Sequence, residues 1–324
     1  MARQRRRSID WAVYWLVRLV VCVVQALPVY AALAAADGIA WLMYYLVPSR
    51  RRIALANVAA AFPDWSTIRQ RRLVLDTYRH FVRAVTENVL LARKLHVHNW
   101  RSYVDISQAR CLPEVLLDRR AVLLVTGHFG NWEVGGYVPG LLGFHTYAIA
   151  RTLDNPYLER LVRRLRQSSG QTLIAKKDEF DRLTAALTSG GKVATLADQD
   201  AGPRGVFVPF FGRPASTHKA VALMALEFDA LILVVGVPRV PRMQGCFGRP
   251  DRAMESISYA VIIEEVIEPR HYAGHPDAVM QITQRYTAAL ERLIRRHPAQ
   301  YFWVHRRWKH QPKAVTTRKI RQVA

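Results

Sequence analysis

The sequence predicts an α/β fold, a central β-sheet flanked by helices, with a long apolar helical segment ahead of it. Three observations predict this. Short apolar runs rich in β-branched residues recur at 121–125, 193–196 and 231–237, as buried strands do. Between and around them lie stretches with helical periodicity, best developed at 67–93 and 276–296. The first fifty residues carry an apolar region, Trp11 to Val47, far longer than a signal-peptide core and without a cleavage site.

That region is bracketed by Arg3, Arg5, Arg6 and Arg7 before it and by Arg50, Arg51 and Arg52 after it. A helical span needs about 20 apolar residues. Trp11 to Val47 therefore accommodates either one span kinked at Pro28 or a helical hairpin. Basic residues at both ends favour a hairpin with both ends on the same, cytoplasmic, side. Trp11, Tyr14, Trp15, Trp41, Tyr44 and Tyr45 suit the interfacial belt. The competing reading is a helical pair buried in protein, since Arg18 and Asp37 dilute the apolar signal.

Leu55 to Phe62 reads as a short helix stopped by Pro63. Ser66 or Thr67 caps a helix to about Arg93, with Leu73, Val74, Tyr78, Phe81, Val82, Val85 and Val89 on one face. Gln108 to Asp118 is expected to be helical and leads into the strand at Ala121. A second strand is expected in 142–149, and a basic helix with Arg160, Arg163, Arg164 and Arg166 from Tyr157 to about Ser168. Lys177 to Thr188 is amphipathic and ends at Gly190-Gly191. Val206 to Phe211 is apolar and aromatic, and Ser216 or Thr217 is positioned to cap a further helix. Leu231 to Val237 and Ile257 to Ile267 read as strands, and Pro276 to Arg296 as a helix. The basic, polar end from His310 is expected to be disordered. The predicted divisions are thus an anchor over 1–49, a globular unit over 50–309 and a tail over 310–324.

The chemistry concentrates where the first strand ends, in Thr126-Gly127-His128-Phe129-Gly130-Asn131-Trp132-Glu133. Gly127 and Gly130 break the strand, and Asn131 is placed to cap a helix starting near Trp132. This puts His128 in the turn at the C-terminal end of a strand, where α/β folds collect ligands. Glu133 falls in the first helical turn. Across such a corner an imidazole and a carboxylate can converge, the carboxylate fixing the tautomer and raising the basicity of the free nitrogen. A His-x4-Glu spacing by itself is common on surfaces and in satisfied cores. A second polar group, Asp198-Gln199-Asp200 with Arg204 beyond it, follows the buried strand at Val193. These acids suit a polar head group, a cation or nearby arginines, with an Asx-turn or salt bridge as the plain alternative.

The formal net charge of +22, from 47 Lys and Arg against 25 Asp and Glu, calls for an anionic neighbour: nucleic acid, an anionic membrane face, phosphorylated lipid or an acidic carrier protein. Cys22, Cys111 and Cys246 are too far apart for a metal-ligand pattern and suit a reducing compartment. Walker, Rossmann, zinc-helix and Gly-x-Ser-x-Gly motifs are missing.

The phrase 127–133 resembles the His-x4-Asp/Glu motif of glycerolipid acyltransferases, and more closely that of the lipid A biosynthesis lauroyl/myristoyl acyltransferases. Asp198-Gln199-Asp200-Ala201-Gly202-Pro203-Arg204 with Val206 to Gly212, and Gln300-Tyr301-Phe302-Trp303-Val304-His305-Arg306-Arg307-Trp308-Lys309, extend the resemblance in the same order. It implies a glycerolipid-acyltransferase-like central mixed β-sheet flanked by helices, with an N-terminal hydrophobic helical membrane anchor at the cytoplasmic face of the inner membrane. It also implies transfer of a fatty acyl chain from an acyl carrier protein thioester to a hydroxyl of a lipid A precursor. No cofactor or metal is implied. His128 would be the general base, Glu133 its orienting carboxylate, and Arg166, ten residues after Pro156, a functional arginine. Arg166 and Asn131 are the candidates for the oxyanion or an acceptor phosphate, and Arg151, Asp198, Asp200 and Arg204 for substrate contacts. No Ser or Cys occupies a nucleophile position beside His128, so direct transfer is expected. Similar phrases occur in enzymes that acylate other glycolipids such as phosphatidylinositol mannosides, and a thioesterase or lipid hydrolase would keep His128 and Glu133 but use water. A nucleic-acid-binding protein would explain the charge, but no recognition module is present.

Overall fold

The computed structural model describes residues 7–167, 170–175, 179–241 and 257–312. The apolar N-terminus forms two helices, α1 (Arg7–Ala26) and α2 (Val29–Leu46), divided at Leu27-Pro28 where proline withholds an N–H. Both are long and apolar enough to cross a membrane. They differ in their surroundings. Of α1 only Asp10 is buried, whereas α2 packs Ala32, Leu33, Ala36, Ala40 and Tyr44 into the body. The small alanines let α2 lie close against α4 (Thr67–Lys94), and Asp37 forms an ion pair with Arg83 across that contact. The protein-buried reading therefore describes one face of α2 and not α1.

Between them α3 (Pro48–Ala61) begins with proline at its first turn, where no intrahelical N–H is needed. Ser66 caps α4, its hydroxyl accepting from the Arg69 N–H. Leu73, Val74 and Tyr78 are buried on α4 as expected, but Val85 is exposed, and His80 and Glu87 take buried places on the helix instead.

After α4 the chain alternates: β1 (Val104–Gln108), α5 (Leu112–Leu117), β2 (Val122–Thr126), α6 (Trp132–Leu141), β3 (Thr146–Ala150), α7 (Pro156–Gln167), β4 (Gln171–Ala175), α8 (Phe180–Thr188) and β5 (Lys192–Leu196). A hairpin of β6 (Val206–Phe210) and β7 (Arg213–Thr217) follows, then α9 (Ala220–Glu227), β8 (Leu231–Gly236), β9 (Tyr259–Ile267) and α10 (Ala278–Arg296). The segment 206–217 departs from expectation, because Ser216 and Thr217 end β7 and α9 starts after Lys219. Phe211 and Gly212 form the hairpin loop, both at positive φ (51° and 70°), as a primed two-residue turn requires. The region 108–118 likewise splits into the end of β1 and the short α5. Cys246 and most of the 310–324 tail lie outside the described residues.

The main sheet has the order β1-β9-β8-β2-β5-β3-β4. β8, β2, β5, β3 and β4 run parallel, while β9 is antiparallel to β8 and carries β1 parallel to itself. The sheet is therefore mixed, as expected. Alternate residues of β2 enter different cores: Leu123 and Val125 join Ile232, Tyr286 and Leu293, while Val122 and Leu124 join Leu90, Leu112, Val138 and Tyr259. A strand covered on both faces reads as a continuous apolar run, which is why 122–125 is so plain in the sequence.

Candidate active site

β2 and β5 are parallel neighbours in register from Val122↔Lys192 to Thr126↔Leu196. Two residues beyond the last pair stand His128 and Asp198. Asp198 Oδ1 lies 2.8 Å from His128 Nδ1, and Oδ2 accepts the His128 backbone N–H at 2.9 Å. One buried carboxylate thus fixes both the ring and the peptide that carries it. Gly127 makes the approach possible, since a Cβ there would stand 3.1 Å from Asp198 Cγ.

The loop after His128 is clamped by three elements. The carbonyl of Val237, just past β8, accepts the Asn131 N–H at 2.8 Å. The C-terminal segment accepts Gly130 N–H on Gln300 O (2.9 Å) and donates Phe302 N–H to His128 O (3.0 Å). From α4, His80 Nε2 meets Gly130 O at 3.1 Å. Burial pulls the His80 pKa down to about 4, so the ring is neutral and donates Nε2–H. Gly130 sits at φ 60°, and a Cβ would lie 2.1 Å from Val237 O, so glycine is obligatory there.

Asn131 caps α6, accepting the Val134 N–H on Oδ1 at 3.3 Å. Its amide donates to Asn88 Oδ1 (2.8 Å) and to the Tyr259 hydroxyl (3.0 Å). Both amide hydrogens are engaged and the residue is buried, so Asn131 has no donor left for an oxyanion or phosphate. The network continues to buried Glu87, which accepts from the Tyr259 hydroxyl and pairs with Arg239 at 3.1 Å. Burial raises the Glu87 pKa against the pull of Arg239.

Glu133 is in the first turn of α6, as expected, but its partners correct the expected role. Its carboxylate takes a two-pronged contact from Arg166 on α7 (2.9 and 2.5 Å) and the Trp132 indole N–H at 3.2 Å. Among the described hydrogen bonds the carboxylate on the His128 ring is that of Asp198, not that of Glu133. The two predicted site residues Glu133 and Arg166 are brought together from 33 positions apart.

Asp200 binds the C-terminal segment: its carboxylate meets His310 Nδ1 at 2.6 Å and the Gly202 N–H at 3.1 Å. Arg151 lies on the surface, 3.4 Å from Asp154, and Arg204 is exposed beyond Asp200. Neither has a described contact with His128, Glu133 or Arg166. Among the described residues no cluster of three or more His, Cys, Asp or Glu could hold a metal ion.

The ring's other nitrogen, Nε2, lies 3.3 Å from Gln199 Nε2. Trp132 stands edge-on at 5.2 Å and Phe302 lies at 5.9 Å. Burial disfavours imidazolium here, but the Asp198 charge and hydrogen bond outweigh it and raise the His128 pKa. Burial likewise opposes ionisation of Asp198, yet His128 and Arg307 hold its pKa low. The arrangement gives His128 a fixed tautomer and a compensated conjugate acid, with a carboxylate–guanidinium pair reached through the neighbouring Trp132.

The family model for bacterial lipid A biosynthesis acyltransferases matches residues 2–310, nearly the whole chain. The chain belongs to this family. It is 27% identical over 314 residues to a lipid A biosynthesis lauroyltransferase of Escherichia coli K12, covering 94% of this chain and 95% of the relative. A lipid A biosynthesis palmitoleoyltransferase of the same organism is 27% identical over 266 residues, covering 81% and 80%. A lipid A biosynthesis acyltransferase of Haemophilus influenzae is 25% identical over 313 residues, covering 94% and 93%. The protein is accordingly an acyltransferase, and the His-x4-Glu phrase lies in its matched region.

Within this acyltransferase, sequence reasoning missed Gln199 as the neighbour of Nε2 and Asp198 as the partner of Nδ1. The parallel pairing of β2 with β5 would have supplied the second, because it sets their exits side by side. The buried Glu87–Tyr259–Asn131 chain had no local signal, since its members come from α4, β9 and the motif loop.

Proposed function

We propose that the protein transfers a fatty acyl chain from an acyl carrier protein thioester to a hydroxyl of a lipid A precursor, by general-base catalysis without a covalent intermediate. The carrying observation is the 2.8 Å contact of Asp198 with His128 Nδ1, which leaves Nε2, 3.3 Å from the Gln199 amide, as the unprotonated nitrogen able to take a proton. Nε2 removes the proton of the acceptor hydroxyl as its oxygen attacks the thioester carbonyl. The tetrahedral intermediate expels the thiolate, which takes that proton from the imidazolium. An ester and a thiol result, and His128 returns to its neutral form. Asp198 holds the tautomer and stabilises the imidazolium, a contribution of about 10²–10⁴-fold for the base as a whole.

Glu133 and Arg166 form the second arm of the site. The carboxylate aims the planar guanidinium, which presents its remaining N–H groups to an acceptor phosphate or to the developing oxyanion. The described contacts of His128 include no Ser or Cys, which supports direct transfer over an acyl-enzyme. The net charge of +22 favours an acidic carrier protein, a phosphorylated acceptor and an anionic bilayer together. α1, with its apolar residues exposed, anchors the protein at the inner membrane, with the catalytic unit over 50–309 on the cytoplasmic face.

The test is an acyl-transfer assay in detergent, pairing acyl carrier protein thioesters with a lipid A precursor, a phosphatidylinositol mannoside or water alone. Acylated lipid A precursor supports the proposal. Product only with another glycolipid keeps the chemistry and changes the acceptor. Loss of thioester with no acylated lipid makes the protein a hydrolase.

A further inference from the structure

Among the described residues, α7 is the one helix between two strands of the main sheet whose residues all remain at least partly open to solvent; none of the twelve is buried. Its two sides differ chemically. Tyr157, Leu158, Leu161, Val162 and Leu165 fall along one side at helical spacing; the first four are half-buried and Leu165, at 41%, is exposed. The arginines divide by task. Arg166 turns to Glu133, Arg163 pairs with Glu159 at 3.3 Å, and Arg160 and Arg164 are exposed with no described ion pair. Such a helix, apolar on one side and arginine-rich on the other, has the composition of one that lies in a membrane surface.

Its position gives the occupant. α7 is joined to the N-terminal part of α1: Asn155 Nδ2 donates to the Asp10 carbonyl at 2.8 Å, and the Tyr14 and Tyr157 rings lie 5.9 Å apart, tilted by 40°. From there α1 presents Trp15, Leu16, Leu19, Val20 and Val23 to the outside, each half exposed or more. The exposed residues of α7, Arg160, Arg164 and Leu165 among them, thus lie beside an apolar helix that is itself exposed.

We propose that α7 is an interfacial helix, its Leu161–Leu165 side and its Arg160 and Arg164 seated on an anionic bilayer beside α1. This rests on the reading of α1 as a membrane anchor and goes beyond it. The same helix delivers Arg166 to Glu133, and Tyr137 of α6 donates to the Leu165 carbonyl at 3.2 Å. The proposed lipid-facing residues and the Arg166 partner of Glu133 are therefore carried on one helix.

The experiment places a nitrobenzoxadiazole label at Leu165→Cys in the full chain, with Cys22, Cys111 and Cys246 replaced by alanine. A second protein keeps Cys22, exposed on α1, as its sole labelled site. Both are put into nanodiscs of phosphatidylethanolamine with phosphatidylglycerol, or of phosphatidylcholine alone. The expected result is a blue-shifted emission at position 165, quenched by lipids spin-labelled near the head group, in the anionic discs. Arg160→Glu with Arg164→Glu should abolish it, each reversed charge weakening engagement by roughly fivefold or more, while the Cys22 signal persists. A label at 165 that stays in water in anionic discs while Cys22 is quenched overturns the inference and spares the anchor. Failure at both positions overturns both. A shift at 165 that depends on protein concentration in lipid-free detergent assigns the face to a second copy and also overturns it.

Discussion

Replacing Asp198 with asparagine is the sharpest test of how the base is built. Asp198 offers two acceptors, Oδ1 to the ring Nδ1 at 2.8 Å and Oδ2 to the His128 backbone N–H at 2.9 Å. Asparagine has one oxygen. If it stays on the backbone N–H, the amide NH₂ faces Nδ1 and forces the ring proton onto Nε2, so the base is lost. If it turns to Nδ1, two N–H donors confront each other in a buried site, at about 1–3 kcal/mol. Either way the imidazolium also loses its counter-charge. The expected fall in kcat is about 10²–10⁴-fold. KM should hold, because Asp198 is 4% exposed and lies behind the ring. Steady-state transfer from an acyl carrier protein thioester reads both constants. Near-normal kcat in a folded Asp198→Asn protein refutes the assignment of the orienting carboxylate.

The pH profile follows from the same pair: a base must be unprotonated to act, and the His128 pKa lies above its ordinary 6.5, so the acid limb of kcat/KM should fall above that pH. In Asp198→Asn burial alone remains, and any residual activity should show that limb moved downward. Glu133→Gln and Arg166→Gln should each lower activity, and a double-mutant cycle should give a coupling of about 0.5–3 kcal/mol, since each removal leaves its partner uncompensated. Zero coupling would disconnect the second arm. Asn131→Ala removes three side-chain hydrogen bonds, the α6 cap among them, and chemical denaturation should report a loss of about 2–4 kcal/mol. Gly130→Ala should abolish transfer, because the backbone carbonyl of Val237 occupies the place of the new methyl group; wild-type kinetics would contradict the loop geometry.

The sequence disclosed the sheet's interior and hid its margins. β2, β5 and β8 are covered on both faces, so their apolar runs stand out. β1 and β4, Val-Asp-Ile-Ser-Gln and Gln-Thr-Leu-Ile-Ala, are the two edge strands, where polar residues are favoured and periodicity fails. β7 was masked by Pro214, which sits opposite Pro209 in a two-stranded hairpin that tolerates both. At the site, the motif loop and its cap were legible because each residue carries a local signal, and Glu133 and Arg166 were singled out separately but not as partners. The Asp198–His128 contact was not, because it depends on which strands lie side by side, and 70 residues separate the partners. Placing Glu133 on the ring followed from its closeness in sequence, whereas α6 points it toward α7.

The most direct measurement is single-turnover acyl transfer to a lipid A precursor by His128→Ala beside the wild type, with folding of both checked by circular dichroism. The account predicts that the wild type forms acylated lipid and thiol in equal amounts. It predicts that the variant binds the donor but loses transfer by about 10²–10⁴-fold. Transfer by His128→Ala at the wild-type rate would contradict the account, because the base it invokes is the His128 ring held by the Asp198 carboxylate.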